Sequence, residues 1–489
     1  MSQIAIKNIT FSYEGNYTNV FEDASISFDT AWKLGFVGRN GRGKTTLLRL
    51  LAGELSPNRG HIQSPVQFSS FPFIVEQPEG LTLDLFEQLC PDHQPWEWQR
   101  ELHMLEMDDD VLYRPYSTLS HGERTKIQLA ALFVREDRFL LIDEPTNHLD
   151  THAREVLSNY LNRKTGFILV SHDRQFLDGC VDHILAINKA DIEVIRGNFT
   201  TWFSNRERQD AFEMDENAKL IKEIGHLQQA AKRTAGWSDQ IEATKIGQGV
   251  YDRGAVGHKA AKMMKRAKAI ENRRETAIAE KEKLLKNIEY YSPLKIHPLV
   301  HHAKAYAQVE NASVQYGDAP VFSDVSFTIS AGDRVALTGK NGCGKSSLLK
   351  LLVGEDIPYA GVVKLASGLT LSYVPQDASF LKGNLSDYAR ECKIDESLFK
   401  TILRKLDFMR VQFEKDMRDF SAGQRKKVLI ARSLSEQAHL YLWDEPLNYI
   451  DVLSRIQIET LIMAHEPTMV FVEHDRAFVE KVSTKIVTL

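Results

Sequence analysis

One glycine-rich pattern occurs twice in this chain, 301 positions apart. Residues 38–45 and residues 339–346 both match G-x-x-x-x-G-K-[ST]. Each copy follows an apolar, strand-like run and precedes a helix-forming segment, and in that context the pattern builds a loop whose backbone N–H groups surround phosphate groups. Two matches at corresponding positions predict a duplicated α/β phosphate-binding domain. We call these segments the first and second phosphate loops.

The other polar motifs repeat at nearly the same offset. The matched pairs are Ser120 and Ser421, Asp143 and Asp444, and Asp150 and Asp451 at 301 residues, His172 and His474 at 302, and Tyr13 and Tyr316 at 303. One unit is therefore duplicated with almost no internal insertion. The length of 489 residues fits two domains and a connector. We place the domains at 1–205 and 304–489, with the connector at 206–303.

Two apolar strands each end in an acidic pair, Asp143-Glu144 and Asp444-Glu445. The first acid of each pair suits Mg²⁺, and the second suits a water molecule beside the metal, so Glu144 and Glu445 are the candidate general bases. Lysines of the phosphate loops reach the terminal phosphates of a nucleotide. The pattern predicts ATP hydrolysis with Mg²⁺ as cofactor. The expected magnesium ligands in these motifs are Thr45, Asp143, Ser346 and Asp444.

Residues 119–123 (Leu-Ser-His-Gly-Glu) and 420–424 (Phe-Ser-Ala-Gly-Gln) resemble ABC signature sequences. This resemblance implies two tandem ABC-type P-loop nucleotide-binding domains that form a dimer within one chain. Each signature then completes the ATP site of the other domain, so that Lys44 faces the second signature and Lys345 faces the first. Closure on ATP rather than ADP follows if the serine hydroxyl and helix N-terminus meet the γ-phosphate.

The same resemblance assigns further site residues. His172 and His474 match the switch histidine that contacts the γ-phosphate, and they join the general bases as catalytic candidates. Tyr13 and Tyr316 match the aromatic residue that stacks on adenine, with an ordinary surface tyrosine as the alternative. The expected ATP-binding residues are Tyr13, Gly38, Asn40, Gly41, Gly43, Lys44, Thr45, Thr46, Ser120, Gly122, Tyr316, Gly339, Asn341, Gly342, Gly344, Lys345, Ser346, Ser347, Gln376, Ser421 and Gly423.

The two copies differ at the glutamine that follows the strand before each signature, which the resemblance makes a further magnesium ligand, Gln376, in the second copy. The second copy has Tyr-Val-Pro-Gln at 373–376, whereas the aligned run of the first copy is Phe-Pro-Phe at 71–73. Gln77 is the alternative glutamine for the first copy. Together with His121 and Glu123 in the first signature, this difference predicts unequal hydrolysis at the two sites, although both general bases are present.

The connector is rich in charged residues, alanine and glutamine, and apolar residues recur there at helical spacing. It predicts an α-helical hairpin with a glycine-containing tip loop near 236–257. Residues 245–274 carry nine basic and two acidic side chains, which suits RNA phosphates, with a solvated helix face as the alternative. At the tip, Trp237 and Tyr251 suit base stacking, and Lys245 and Arg253 suit phosphates. Trp237 fits packing against the helices equally well.

Two fused ABC domains joined by such a hairpin resemble the ABC-F family over essentially the whole chain, and the run Asp-Glu-Pro-Thr-Asn-His-Leu-Asp at 143–150 is close to that family's pattern. The resemblance implies a translation-associated ATPase that binds the ribosome at its exit site, near 23S rRNA, the P-site tRNA and the peptidyl-transferase centre. The spacing between Phe73 and Ser120 leaves no room for the arm that housekeeping members of this family usually carry in the first domain. The chain therefore looks like the Lsa and Vga type, which protects ribosomes from lincosamides, streptogramin A compounds and pleuromutilins.

The alternatives are a housekeeping ABC-F translation factor and, with less support, the ATPase subunit of an exporter. Apolar runs are far shorter than the roughly 18 residues that a membrane-spanning helix needs. The four cysteines are scattered, without disulfide or C-x-x-C spacing. These features lead us to expect a cytoplasmic protein without a membrane segment, acting as a monomer. The net charge of −5 argues against nucleic-acid binding over the whole surface but leaves room for a local basic element.

Overall fold

The computed structural model describes residues 2–14, 19–135, 137–147, 149–187, 192–212, 215, 219, 222, 294–316 and 319–489. The chain divides into two units, one made of Met1–Thr200 with Tyr291–Leu489 and the other of Thr201–Tyr290. In the second unit the described residues are helical to residue 212. The predicted hairpin and its tip residues Trp237, Lys245, Tyr251 and Arg253 lie outside the described residues and stay predictions.

The first copy of the repeat folds around a six-stranded sheet in the order β5-β6-β7-β3-β8-β9, in which only β9 is antiparallel to its neighbour. A three-stranded antiparallel sheet has the order β2-β1-β4. The strands are β1 (Gln3–Phe11), β2 (Phe21–Asp29), β3 (Lys33–Val37), β4 (Arg59–Gln63), β5 (Gln67–Phe71), β6 (Arg138–Asp143), β7 (Phe167–Val170), β8 (His183–Ile187) and β9 (Ile192–Arg196). The α-helices are α1 (Lys44–Leu51), α2 (Thr82–Leu89), α3 (Pro95–Met104), α4 (His121–Val134), α5 (Thr151–Asn162) and α6 (Arg174–Cys180), and α7 covers residues 199–212.

The second copy repeats this plan with a five-stranded parallel sheet in the order β14-β15-β16-β12-β17 and a three-stranded antiparallel sheet in the order β11-β10-β13. Its strands are β10 (Ala305–Tyr316), β11 (Ala319–Ser330), β12 (Arg334–Thr338), β13 (Tyr359–Leu365), β14 (Leu371–Val374), β15 (Leu440–Asp444), β16 (Met469–Val472) and β17 (Lys485–Thr488). Its helices are α8 (Lys345–Val353), α9 (Leu385–Glu391), α10 (Glu396–Lys405), α11 (Ala422–Ser435), α12 (Val452–His465) and α13 (Arg476–Val482). Each copy also has two short 3₁₀ helices before its signature: Asp109–Tyr113, Tyr116–Thr118, Arg410–Glu414 and Met417–Asp419.

The central strands β7 and β16 are apolar along their whole length, as is usual for parallel strands that are buried on both faces. All four residues of β7 and all four of β16 are buried. The carboxyl ends of β3, β6 and β7 lie side by side, and the first phosphate loop, the first acidic pair and His172 follow these three strands. Ligand sites of open α/β sheets form at such an edge. The predicted fold of two tandem ABC-type α/β domains is confirmed.

Residues before the predicted start of the second domain at residue 304 pack with that domain. Leu294 and Ile296 are buried in the core of the second domain, and the backbone N–H of Leu299 donates to the carbonyl oxygen of Ala438 at 2.8 Å. These apolar residues follow the charged connector directly, so composition alone hides the change of domain. Likewise, α7 runs through the predicted boundary at residue 205. Within the described ranges, no helix combines the length and apolar character needed to cross a membrane.

Candidate functional site

The two phosphate loops have the same backbone conformation, which only glycine adopts without strain. Gly43 has φ +94°, and a Cβ atom there would lie 2.8 Å from Phe21 Cζ. Gly344 has φ +93°, and its Cβ would lie 2.6 Å from Phe322 Cδ1. Helices α1 and α8 begin at the next residue, so their free N–H groups and positive dipole ends face the loops. Both loops are thus shaped to hold phosphate.

The lysines of the two loops donate to backbone carbonyls of their own loops, and a threonine hydroxyl contacts a predicted magnesium ligand. The ammonium group of Lys44 donates to the Gly38 carbonyl at 2.7 Å, and that of Lys345 donates to the Gly339 carbonyl at 2.9 Å. We call the site built on Lys44 site 1 and the site built on Lys345 site 2. In site 1, Thr45 Oγ1 donates to Asp143 Oδ2 at 3.1 Å.

The residues beside each loop fit Mg²⁺. Burial raises the pKa of Asp143, and it raises the pKa of Asp444 to about 6 against the opposing hydrogen bond from Ser346. Asp444 Oδ1 is buried without a hydrogen-bond partner, and a buried carboxylate oxygen beside a hydroxyl suits a hard cation. Within the described part of the chain, no three His, Cys, Asp or Glu side chains converge as a metal site. One carboxylate and one hydroxyl from the protein, completed by phosphate oxygens, would hold the ion, as is usual for Mg²⁺.

The second acid of each pair lies in the left-handed region of backbone conformation, where a residue other than glycine is uncommon. The φ values are +52° for Glu144 and +46° for Glu445. Strained residues that persist in a fold cluster at functional sites. The same strain at both copies therefore supports the proposed role of these two carboxylates.

In site 1, the carboxylate of Glu144 is held in an environment that disfavours its charge. Burial raises the pKa of Glu144 to about 8, helped by the charge of Asp143 and opposed by that of Lys44. The His172 Nε2 atom lies 3.2 Å from Glu144 Oε1. Burial and the positive charges of Lys44 and Arg455 hold the pKa of His172 well below its usual range, so this imidazole is neutral.

In site 2, three side chains surround Glu445. Gln376 Nε2 donates to Glu445 Oε2 at 2.9 Å, and Asn448 Nδ2 donates to the same oxygen at 2.6 Å. His474 Nε2 lies 3.4 Å from Glu445 Oε1. Burial opposes ionisation of Glu445, but the hydrogen bonds from His474 and Gln376 outweigh it and lower its pKa to about 2. The carboxylate of site 2 is therefore ionised and oriented.

Strand register places Phe73 where the second copy has Gln376. Phe71 pairs with Ile142, and Val374 pairs with Trp443, the residues just before the two acidic pairs. Counting two residues on from each strand end brings Phe73 and Gln376 to the same place. Gln128, from α4, instead holds the backbone of this turn: its Nε2 donates to the Phe73 carbonyl at 2.9 Å, and its Oε1 accepts from the Phe73 N–H at 3.3 Å. The alternative, Gln77, is exposed.

Site 1 lies against the second domain. Asn40 Nδ2, in the first phosphate loop, donates to the Tyr449 carbonyl oxygen at 2.8 Å. A Cβ atom added to Gly423 in the second signature would lie 3.2 Å from the same Asn40 Nδ2. The first phosphate loop and the second signature thus meet at one interface within the chain.

A buried carboxylate of the second domain completes this interface. Lys427 Nζ donates to Asp451 Oδ2 at 2.9 Å. Burial opposes ionisation of Asp451, but the charges of Lys427 and of Lys44 outweigh it and hold its pKa well below its usual range. Site 1 is therefore lined by charges from both domains.

Site 2 opens onto a cavity of about 400 Å³, which is in the size range of small-ligand sites. Leu149 and Arg154 from the first domain line it, and Arg154 Nη1 donates to the His474 carbonyl at 3.3 Å. The cavity brings together most of the predicted residues of this site: Tyr316, Asn341, Gly342, Gly344, Lys345, Ser346, Ser347, Gln376, Glu445 and His474.

The signature serines cap the helices α4 and α11. Ser120 Oγ accepts from the Glu123 N–H at 3.2 Å while Glu123 accepts from the Ser120 N–H at 2.7 Å, which is a capping box. Ser421 and Gln424 form the same pair of hydrogen bonds. Glu123, which departs from the second copy, therefore has a structural role that Gln424 fills equally well.

The predicted adenine-stacking tyrosines sit at the mouths of the loops. Tyr13 hydrogen-bonds through its hydroxyl to Thr46 Oγ1 at 3.0 Å, and Tyr316 hydrogen-bonds to Ser347 Oγ at 3.2 Å. Their side chains are exposed, at 39% and 52% respectively. Each ring thus lies beside its loop with a face accessible to a base, as adenine stacking requires.

Comparison with known proteins agrees with this geometry. The family model described as ABC transporter matches twice, at residues 21–147 and 322–448. This chain belongs to the ABC transporter family. The two ABC ATP-binding domains make it an ATPase.

The similarity to related proteins covers nearly the whole chain. It is 29% identical to the ribosome protection protein VmlR of Bacillus subtilis (strain 168), over 96% of this chain and 84% of that protein. It is 26% identical to the ATP-binding protein Uup of Buchnera aphidicola, over 99% of this chain and 80% of Uup, and 26% identical to the probable ATP-binding protein YheS of Escherichia coli (strain K12), over 94% and 74%. A solved archaeal ribosome recycling factor, aABCE1, in complex with the stalk protein aP1, is similar in fold, with a TM-score of 0.63 and 20% identity over 98% of this chain and 87% of that one.

Two arginines at the interface between the two domains are absent from the sequence-based predictions. Arg154 bonds Asp173 Oδ2 at 3.0 Å, and Arg455 bonds Asp475 Oδ2 at 3.3 Å, so each arginine ties the residue after a predicted switch histidine to the helix that follows Asp150 or Asp451. These arginines are 301 residues apart, and that offset is the signal that reveals them.

Proposed function

We propose that this chain is an ABC-F-type ATPase that binds the ribosome and protects it from antibiotics of the peptidyl-transferase centre, namely lincosamides, streptogramin A compounds and pleuromutilins. The observation that carries the proposal is the similarity to VmlR, named a ribosome protection protein, over 96% of this chain. The contacts between the first phosphate loop and the second signature support it, because they make one chain a complete clamp without a second copy.

The clamp is proposed to close on ATP. Ser421 and Gly423 bring a helix N-terminus to site 1, and Ser120 and Gly122 bring another to site 2, so that each favours a phosphate bound on the opposite domain. Magnesium, when bound, would offset the charge of the phosphate oxygens. Glu445 accepts the proton of the attacking water, and His474 helps to hold that carboxylate. Hydrolysis then opens the clamp and releases the protein from the ribosome.

The connector is proposed to select the target. Its net positive segment at 245–274 contacts 23S rRNA and the P-site tRNA near the exit site, and the tip reaches toward the drug site. The proposed contact residues are Trp237, Lys245, Tyr251 and Arg253. This role places the protein in the cytoplasm.

A trapping experiment tests ribosome binding. We expect Glu144→Gln combined with Glu445→Gln to hold ATP without hydrolysis, and hence to co-sediment with ribosomes in ATP and not in ADP. Glu391→Gln, an exposed glutamate at the end of α9, is the matched control and should release ribosomes as the unmodified protein does. If the double variant sediments no more with ribosomes in ATP than in ADP, ribosome binding by the closed clamp is wrong.

The housekeeping translation factor is the second candidate, favoured by the 26% identity to Uup and YheS, whose names carry no resistance function. Expression in a drug-susceptible strain separates the two. Ribosome protection predicts raised inhibitory concentrations of lincosamides or pleuromutilins. The housekeeping role is indicated if the double variant is trapped on ribosomes but expression of the unmodified protein leaves those inhibitory concentrations unchanged. Co-purification with an integral membrane protein in place of ribosomal RNA would instead indicate an exporter subunit.

A further inference from the structure

An ion pair links the two domains beside site 1. Arg174 Nη2, at the start of α6, donates to Glu459 Oε2 on α12 at 2.6 Å. Glu459 is fully buried, and its other oxygen lies 2.5 Å from Lys481 Nζ of its own domain. Arg174 is two residues beyond His172, and α12 begins directly after Asp451, so the pair joins two segments that line site 1.

The corresponding pair is missing on the site 2 side. At the 301 and 302 offsets, Arg476 corresponds to Arg174, and Ser158 corresponds to Glu459. Arg476 instead bonds Glu480 of its own helix at 2.7 Å. A cavity of about 160 Å³ lies at this place, lined by Arg476 and Ser158 together with Arg154, Glu155 and His474.

The acidic residue four positions after each arginine explains why Arg174 and Arg476 have different partners. Glu480 lies four residues after Arg476, at a spacing that allows an ion pair on one helix face. Its counterpart in the first domain, Asp178, accepts hydrogen bonds from the backbone N–H and the hydroxyl of Thr200. The acid of α6 is thus engaged by Thr200 of α7, and Arg174 reaches across the interface.

We propose that Arg174 and Glu459 form an interdomain latch that holds site 1 closed while site 2 opens and closes. Opening site 1 would take the arginine away from a fully buried carboxylate, and separating a desolvated charge pair is costly. On the site 2 side, Ser158 carries no charge, and the described acid of the first domain that acts on Arg476 is Glu155, which is exposed, so separating these two charges costs little. Arg174 is a positioning residue: it acts on site 1 through the segment that carries His172. The latch concerns ATP handling by the chain itself and does not depend on a ribosomal role.

Nucleotide release from single sites tests the latch. Full-length protein with Lys345→Ala binds nucleotide at site 1 alone, and protein with Lys44→Ala binds at site 2 alone. Each is loaded with Mg²⁺ and a fluorescent, non-hydrolysable ATP analogue, and release is followed after dilution into unlabelled ATP. We expect Arg174→Ala to speed release from site 1 about fivefold and to leave release from site 2 unchanged. Arg174→Lys, which keeps the charge, should restore part of the slow release.

Two further variants make the test specific. Arg476→Ala, at the corresponding position of the second domain, should change release from neither site. Ser158→Glu gives Arg476 an interdomain partner in the adjoining cavity and should slow release from site 2. Equal acceleration at both sites by Arg174→Ala would mean a general loss of domain packing and would overturn the latch, as would no change at site 1 with the thermal unfolding midpoint preserved.

Discussion

Glu445→Gln is expected to lower the steady-state rate of ATP hydrolysis about 100-fold, the usual contribution of a positioned general base. Glu144→Gln is expected to lower it by about threefold at most, because the two carboxylates have different neighbours. Gln376 and Asn448 each bond Glu445 within 3 Å, whereas Phe73 occupies the place of the glutamine beside Glu144. Phosphate release from the two single variants, measured at saturating ATP, gives the comparison.

The glutamine position itself provides the matched controls. Gln376→Phe copies the first site into the second and should lower hydrolysis strongly, while Phe73→Gln should leave the overall rate close to that of the unmodified protein. Glu391→Gln controls for the loss of one exposed negative charge. Equal losses from Glu144→Gln and Glu445→Gln would show that both sites turn over, and the assignment of catalysis to site 2 would be wrong.

The duplicated motifs predict the fold well because they mark fixed places on it. A phosphate loop requires a strand before it and a helix after it, so residues 38–45 and 339–346 already determine where β3, α1, β12 and α8 lie. Alignment of the copies also predicts that Phe73 replaces the second-copy glutamine, and strand register leads to the same correspondence.

The contacts between the domains could not be predicted in the same way. Arg174 and Glu459 are 285 positions apart, and neither belongs to a motif whose chemistry identifies it. Their pairing depends on how two folded domains meet, and local sequence patterns carry no information about that. The end of the connector is hidden for a related reason: the apolar stretch that contains Leu294 and Ile296 is too short to be identified as an element by its periodicity, and only its burial assigns it to the second domain.

The signature illustrates a different limit. His121 and Glu123 look like departures that weaken the first signature, yet Glu123 forms the same capping hydrogen bonds as Gln424. Either side chain supplies the oxygen that accepts from the serine N–H. Glu123 in place of Gln424 therefore leaves helix capping unchanged, whereas Phe73 and the interdomain ion pair do distinguish the two sites.

Gly423→Ala is expected to weaken nucleotide binding at site 1 by about tenfold or more, the equivalent of losing one or two hydrogen bonds. A Cβ atom at Gly423 would lie 2.5 Å from the Tyr449 carbonyl oxygen, which is too close for the backbone to remain in place. That oxygen accepts the 2.8 Å hydrogen bond from Asn40, so the displacement also separates the first phosphate loop from the second domain. Titration of the Lys345→Ala background with a fluorescent ATP analogue measures the loss.

Gly122→Ala is the matched substitution in the first signature. Among the described residues, its Cβ would meet Leu149 Cδ2, at 3.4 Å, which is an ordinary contact with the end of a flexible side chain. In the Lys44→Ala background, titration of this variant measures the effect of the same added methyl group at site 2. If both alanines weaken binding equally, each glycine contributes only by letting its signature come close to the γ-phosphate. A loss confined to Gly423→Ala shows that the direct contact between Asn40 and Tyr449 contributes to nucleotide affinity, because that contact is what the added methyl group displaces.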